Sequence, residues 1–178
     1  MALSPQKFRE MVFQILYSKD VGNPTEDVML ELMMGELAVS KKNVRMANEK
    51  VQQVRDKMNE IDKQISSVST SYDFDRIQTV TKNILRLGVF ELFYDDAIPS
   101  KVAITEAMRI ARKFGTPESA TFVNAVLDNL YKSSIGQTVD LKSIENQNAL
   151  LLQSEEQAKK AALEAIESNK NSTSPEDE

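Results

Sequence analysis

Between Arg76 and Lys132 three apolar-periodic segments follow one another closely, split by Asp95-Asp96-Ala97-Ile98-Pro99 and by Gly115-Thr116-Pro117. Their apolar residues recur every three to four positions, the spacing of helices with one buried face. The first, with Ile77, Val80, Ile84, Leu85, Leu87, Phe90 and Leu92, has so broad an apolar surface that it belongs at the centre of a bundle. Asp73 or Asp75 is its expected cap. The second is expected over Ser100 to Phe114, with Ala103, Ile104, Ala107, Ile110, Ala111 and Phe114 inward and Gly115 as a left-handed C-cap. Thr116-Pro117 opens the third, whose Val123, Val126, Leu127 and Leu130 face inward. No part of the chain reads as a strand. The expected fold class is all-α.

Upstream, Ser4-Pro5 pairs a capping hydroxyl with a proline suited to the first helical position. Phe8, Met11, Val12, Ile15 and Leu16 then form a buried stripe, and Gly22-Asn23-Pro24 ends that helix. A second helix is expected to bury Val28, Met29, Leu32 and Met33. A long third helix follows from Val44, Ala47, Val51, Val54, Met58, Ile61, Ile65 and Val68, ended by the polar run Ser66, Ser67, Ser69, Thr70 and Ser71. Its alternating 3-4 spacing fits core packing or a coiled-coil dimer, and the shortage of clean heptads with flanking charges favours the core.

The chain has no cysteine, histidine or tryptophan, which removes disulfides, thiolate nucleophiles, His-based triads and nearly every zinc site. There is no Gly-rich phosphate loop and no Asp-rich calcium loop, so no cofactor or small-molecule substrate is expected. No apolar run approaches the ~20 residues of a membrane span, and no hydrophobic leader follows Met1. A soluble, cytoplasmic protein is expected.

Charge is divided unevenly. Residues 1–134 hold 18 Lys+Arg against 18 Asp+Glu, whereas residues 135–178 hold 4 against 9. Nucleic-acid contacts therefore require a local basic face on a neutral body. In the last quarter, Leu141, Ile144, Leu150, Leu151, Leu152, Ala158, Ala161, Ala162 and Ile166 suggest a weakly amphipathic helix, and Asn169 to Glu178 is expected to be disordered.

Several ordered segments carry a family likeness: Arg9-Glu10 through Gln14-Ile15-Leu16-Tyr17, Leu85-Arg86-Leu87-Gly88-Val89-Phe90-Glu91-Leu92, Ile98-Pro99-Ser100-Lys101-Val102-Ala103-Ile104-Thr105-Glu106-Ala107, and Lys113-Phe114-Gly115 followed by Phe122-Val123-Asn124-Ala125-Val126-Leu127-Asp128. In this order they resemble the NusB family of bacterial antitermination factors, over residues 4–132, most closely after 76 and least between 20 and 72. The resemblance implies a compact bundle of about six to seven helices in two subdomains over residues 1–134, with 135–178 as an acidic tail. It also implies binding to boxA-type RNA of nascent ribosomal RNA transcripts together with a small-subunit ribosomal protein, NusE. That pair joins the RNA polymerase antitermination complex, without catalysis. One departure stands out: the family's first helix opens on consecutive arginines, but Pro5-Gln6-Lys7-Phe8-Arg9 offers two cations. Fewer phosphate contacts mean lower affinity and a flatter salt dependence.

On this basis the RNA-binding candidates are Lys7, Arg9, Lys101, Lys113, Glu118 and Phe122, and the partner-binding candidates are Phe13, Tyr17, Lys82 and Arg86. Phe13 and Tyr17 lie one turn apart outside the buried stripe of their helix; they form a contact surface or are covered by another element. Phe122 sits about 100° from the centre of its helix's apolar face, beside Glu118 and Asn129. It either stacks on an unpaired base, a contact of ~1–3 kcal/mol, or wedges between helices, and the resemblance favours stacking. Lys101, Arg109, Arg112 and Lys113 point away from their helix's stripe, as a solvated face or as phosphate contacts. Arg86 either supports the fold through an ion pair or meets the partner.

An enzymatic alternative exists, because NusB-like domains also precede the catalytic domain of some ribosomal RNA methyltransferases. Those need a Gly-rich cofactor loop and a catalytic cysteine, and this sequence has neither. A helical interaction module with weakened or lost RNA binding is the other alternative. The acidic tail either competes with RNA for cations, in which case removing it near Ser134 should raise affinity at low salt, or is a solubilising extension that leaves affinity unchanged.

Overall fold

The computed structural model describes residues 3–68 and 73–171. Within them lie eight α-helices: α1 (Pro5–Val21), α2 (Glu26–Leu37), α3 (Lys41–Asp56), α4 (Met58–Ser67), α5 (Thr79–Phe93), α6 (Ser100–Phe114), α7 (Pro117–Ser134) and α8 (Leu141–Asn171). A short 3-10 turn, Phe74–Arg76, precedes α5. The all-α expectation is met: seven of these helices lie within residues 1–134, as expected of the bundle, and α8 lies beyond it.

Helix α5 is the shared element. Residues Asn83 to Glu91 are all buried, and α1, α4, α6 and α7 pack around it. On one side α1 lies on α3, which also carries α2; on the other, α6 and α7 pair tightly. Gly88 lets the helices close up: a Cβ there would meet Leu127 Cδ1 at 2.7 Å and the Ala107 Cβ at 3.3 Å. Met11, Val12, Ile15 and Leu16 of α1 are buried as their spacing predicts, and Val44, Ala47, Val51, Val54, Ile61, Ile65 and Val68 all enter the core of this one chain.

The expected long third helix is two. At Lys57 (φ −100°, ψ 3°) the amide bonds back three residues to Val54, and the axis turns. The turn brings Asp62 against Arg86 of α5 and places Lys57 Nζ 5.6 Å from the centroid of Tyr94. Asp73 caps the 3-10 turn, its carboxylate accepting from the Asp75 amide at 3.0 Å, and not the helix beyond. Ile77 and Gln78 are extended, so α5 begins only at Thr79 and has no side-chain cap.

Gly115 is not left-handed either (φ −120°, ψ −138°). It is small for a different reason: an added Cβ would lie 2.5 Å from Ser119 Oγ and 2.9 Å from the Ala111 carbonyl oxygen. That space admits the reciprocal cap of α7, in which Ser119 N–H donates to Thr116 Oγ1 and Thr116 N–H donates to Ser119 Oγ.

In α2, Met29 and Met33 face the core, but Val28 and Leu32 are 55% and 51% exposed, which corrects their inward placement. The amphipathic segment after Ser134 is α8, and it packs on α7 through buried Ile144 and Leu151. Its backbone remains helical through Asn171, so Asn169 to Asn171 continue the helix. Residues 172–178 of the expected disordered end, like Ser69, Thr70 and Ser71 of the helix-ending run, lie outside the described residues. No described helix is long and apolar enough to cross a membrane.

Candidate functional site

Two surfaces have binding chemistry. The first is an end of the bundle where three helices start. Leu3, Ser4 and Lys7 of α1 share a groove with Val39, Ser40 and Asn43 at the start of α3. Lys19 and Arg45 to Gln52 share a second groove farther along, so α1 and α3 run parallel. Helix α6 runs parallel to α1 as well: Gln6 Nε2 donates to Glu106 at 3.4 Å, and one turn on Glu10 binds Arg109 and Lys113. The N-termini of α1, α3 and α6 therefore open on one end. Ser4 and Ser40 each cap their helix, accepting from Lys7 N at 3.2 Å and from Asn43 N at 3.3 Å.

Exposed Lys7, Lys41, Lys42 and Lys101 surround these three starts. Lys101 lines a shallow depression with Val102, Thr105 and Glu106. Helix N-termini and clustered lysines both favour phosphate. Lys41 and Lys42 were not singled out in the sequence, although Ser40-Lys41-Lys42 before an apolar-periodic run was a readable capped, basic start.

The second surface is an open apolar groove of about 480 Å³ between α1, α2, α5 and the end of α6. Phe13, Tyr17, Leu32, Met33, Val80 and Phe114 line it. Phe13 is 2% exposed and forms the floor, its ring 5.0 Å from Phe114 and 6.2 Å from Tyr17. Tyr17 is half-buried at the wall, so the aromatic pair is partly covered and partly presented.

The remaining candidates are placed elsewhere. Arg9 does not face solvent: its Nε donates to both Glu91 oxygens, at 2.8 and 3.0 Å, and its Nη1 lies 3.8 Å from Glu106. Burial pushes the Glu91 carboxyl above its ordinary range, and Arg9 pulls it only part of the way back. Lys113 is half exposed and bonded to Glu10 at 2.5 Å, at the far end of α6 from Lys101 and beside Phe114 of the apolar groove. Phe122 is 0% exposed and part of the core, so a solvent-facing stacking ring is not what this conformation offers. Glu118 accepts from Ser154 of α8 at 3.4 Å.

Arg86 is a clamp inside the bundle. Its Nε and Nη2 donate to the two Asp62 oxygens at 2.8 and 2.7 Å, and its Nη1 donates to Asp20 at 2.7 Å. Burial opposes its charge, but Asp62 and Asp20 outweigh that and raise its pKa further. Lys82 sits 4.7 Å from the Phe74 ring centroid. Neither Lys82 nor Arg86 lines the groove, so the partner role expected of them is not supported by their position.

The seam between α1 and α6 is ionic. Burial works against the Glu10 carboxylate, yet hydrogen bonds from Lys113 and Arg109 outweigh it and lower its pKa from 4.5. A lowered folded pKa gives stability that is present above pH 4.5 and disappears as pH falls through the folded value. Glu10→Gln is therefore expected to be less stable than the parent by about 1 kcal/mol at pH 7. In urea unfolding the gap should narrow as pH falls below 4.5; a gap independent of pH would show that Glu10 acts through packing.

The model of the NusB family matches residues 6–132. The transcription antitermination protein NusB of Chlamydia pneumoniae is 36% identical over 129 residues, covering 72% of this chain and 81% of that protein. That of Geobacter sp. (strain M21) is 40% identical over 130 residues, covering 68% and 90%. Among solved structures, T. maritima NusB superposes with a TM-score of 0.64 at 27% identity, covering 82% of this chain and 99% of that one. A crystal structure of antitermination factors NusB and NusE in complex with dsRNA gives 0.61 at 25%, covering 72% and 96%. With 127 of its residues inside the family match and a body that superposes on solved members, the chain belongs to the NusB family.

Proposed function

We propose that this protein is a transcription antitermination adaptor that binds boxA-type RNA of nascent ribosomal RNA together with the ribosomal protein NusE, and that the pair acts on RNA polymerase. Its role is binding, without catalysis, in the cytoplasm. The observation that carries the RNA assignment is the convergence of three helix N-termini with Lys7, Lys41, Lys42 and Lys101 at one end of the bundle. NusE is assigned to the aromatic groove: an apolar floor with Tyr17 at the wall is the make-up of a protein-contact patch.

Replacing Lys7 and Lys101 with glutamate is expected to weaken binding of a labelled single-stranded boxA RNA at least tenfold at 0.1 M salt, measured by fluorescence anisotropy against scrambled and duplex RNA. Both lysines are exposed, so the fold should be unaffected. Unchanged affinity would remove the helix-end surface from the account. The burial of Arg9 in an ion pair leaves fewer cations at the start of α1 than the sequence suggests, which favours one second reading: an interaction module that binds protein and not RNA. Under that reading no form of the protein prefers boxA to scrambled RNA.

A further inference from the structure

Helix α8 lies outside the family match, which ends at residue 132, and it occupies one particular face of α7. Glu118, Phe122, Ala125 and Asn129 recur at four, three and four residues, a single helical face. Both ends of that face are bound to the last segment. Asn129 accepts from the Asp140 amide at 2.6 Å and donates to its carbonyl at 3.3 Å, and Glu118 accepts from Ser154. The first half of helix α8 thus runs antiparallel over α7, and Phe122 lies on the stretch of α7 between the two tethers.

The chemistry of the covered face differs from that of an ordinary interior. A carboxylate, an aromatic ring and a carboxamide in line are the groups that read and stack unpaired bases. The cover itself is thin. Among its described residues only Ile144 and Leu151 are buried apolar side chains, while Leu141, Leu150, Leu152, Leu163 and Ile166 are exposed. A cleft lined by Asp73, Arg76, Ile77, Asn148, Leu151 and Glu155 separates it from the 3-10 turn. From Glu156 to Ser168 every residue is exposed.

The geometry also joins this face to the cationic end. The two-residue connection Gly115-Thr116 folds α7 back along α6, so Asn129 lies towards the end that carries Lys101. An RNA strand held by phosphate at that end and continuing along α7 would run over Asn129, Phe122 and Glu118 in turn.

We propose that α8 is a removable cover on this face, and that single-stranded RNA and α8 compete for it. The proposal rests on the RNA-binding reading above. It differs from repulsion by an acidic tail, because a steric cover acts at any salt concentration, whereas repulsion fades as salt rises.

The test uses the full chain. Leu151→Asp removes a buried anchor of α8 and adds a negative charge, so repulsion alone would weaken RNA binding. The cover instead predicts boxA RNA bound at least fivefold tighter than by the parent, with the gain kept at 0.5 M salt. Leu151→Ala should give a smaller gain, and both should retain a cooperative urea transition and faster amide exchange in α8. Conversely, the chain has no cysteine among its residues, so Glu118→Cys with Ser154→Cys gives a unique pair that a short bis-maleimide can bridge. Bridging is expected to lower RNA affinity relative to the same protein unbridged. If RNA affinity is the same in parent and Leu151→Asp, and the same in the double-cysteine protein bridged and unbridged, while boxA is still preferred to scrambled RNA, the cover is wrong and the RNA reading stands. If no form prefers boxA, the RNA reading fails and the cover falls with it.

Discussion

Phe122→Ala is expected to lower the unfolding free energy by about 3–5 kcal/mol, the cost of emptying a fully buried aromatic site. The ring is 0% exposed, and a water entering the emptied apolar site would find no hydrogen-bond partners there. Equilibrium urea unfolding reads the loss directly. Any RNA defect in this variant has to be measured where the variant is still folded, because reduced binding alone would reflect an unfolded fraction. A change below about 1 kcal/mol would mean that the ring contributes little to the interior, and that α8 does not hold it there.

Arg86→Ala should cost about 3 kcal/mol. The guanidinium holds Asp62 of α4 and Asp20 of α1 together, by three hydrogen bonds of 2.7 to 2.8 Å. Without it both carboxylates lose the guanidinium that pairs with them. Both retain about a quarter of their side-chain exposure, so water can reach them and the loss falls at the lower end for a broken buried pair. Arg86→Lys should recover only part of it, because an ammonium cannot reproduce the planar fork on Asp62. Unfolding curves of the three proteins at neutral pH decide this; a stable alanine variant would reduce the clamp to a surface-type ion pair.

What the sequence disclosed follows from which forces are local. The buried faces of α1, α5, α6 and α7 were legible because a 3.6-residue period records burial residue by residue. The break at Lys57 was not, since Arg55-Asp56-Lys57-Met58-Asn59 contains neither glycine nor proline. It is imposed by packing of α4 on α5 through Asp62 and Arg86. The conformation of Gly115 is not legible for a related reason: the residue is small to admit Ser119, a neighbour four positions on, and not to turn left-handed.

The candidate binding residues divide along the same line. Helical phase alone could place Lys101 as exposed and Tyr17 off the core face of its helix. Arg9, Lys113 and Arg86 could not be placed that way, because the acids that hold them (Glu91, Glu10, Asp62 and Asp20) come from other helices. Phe122 sits off its helix's main stripe and is buried all the same, on the face that α8 crosses; no periodicity within α7 could announce that second layer. The groove residues Leu32 and Val80 were likewise read as core, and only the arrangement of four helices leaves them at an open edge.

The most direct test of the central claim is the salt dependence of boxA RNA affinity. Single-stranded binding loses about 0.7 decades of affinity per decade of salt for each phosphate contact. Contacts from Lys7, Lys41, Lys42 and Lys101 predict a log–log slope near −3 in the parent, falling towards zero when all four become alanine. A parent slope near zero, or a slope that the four substitutions leave unchanged, would contradict a cationic helix-end surface as the place where this protein holds RNA.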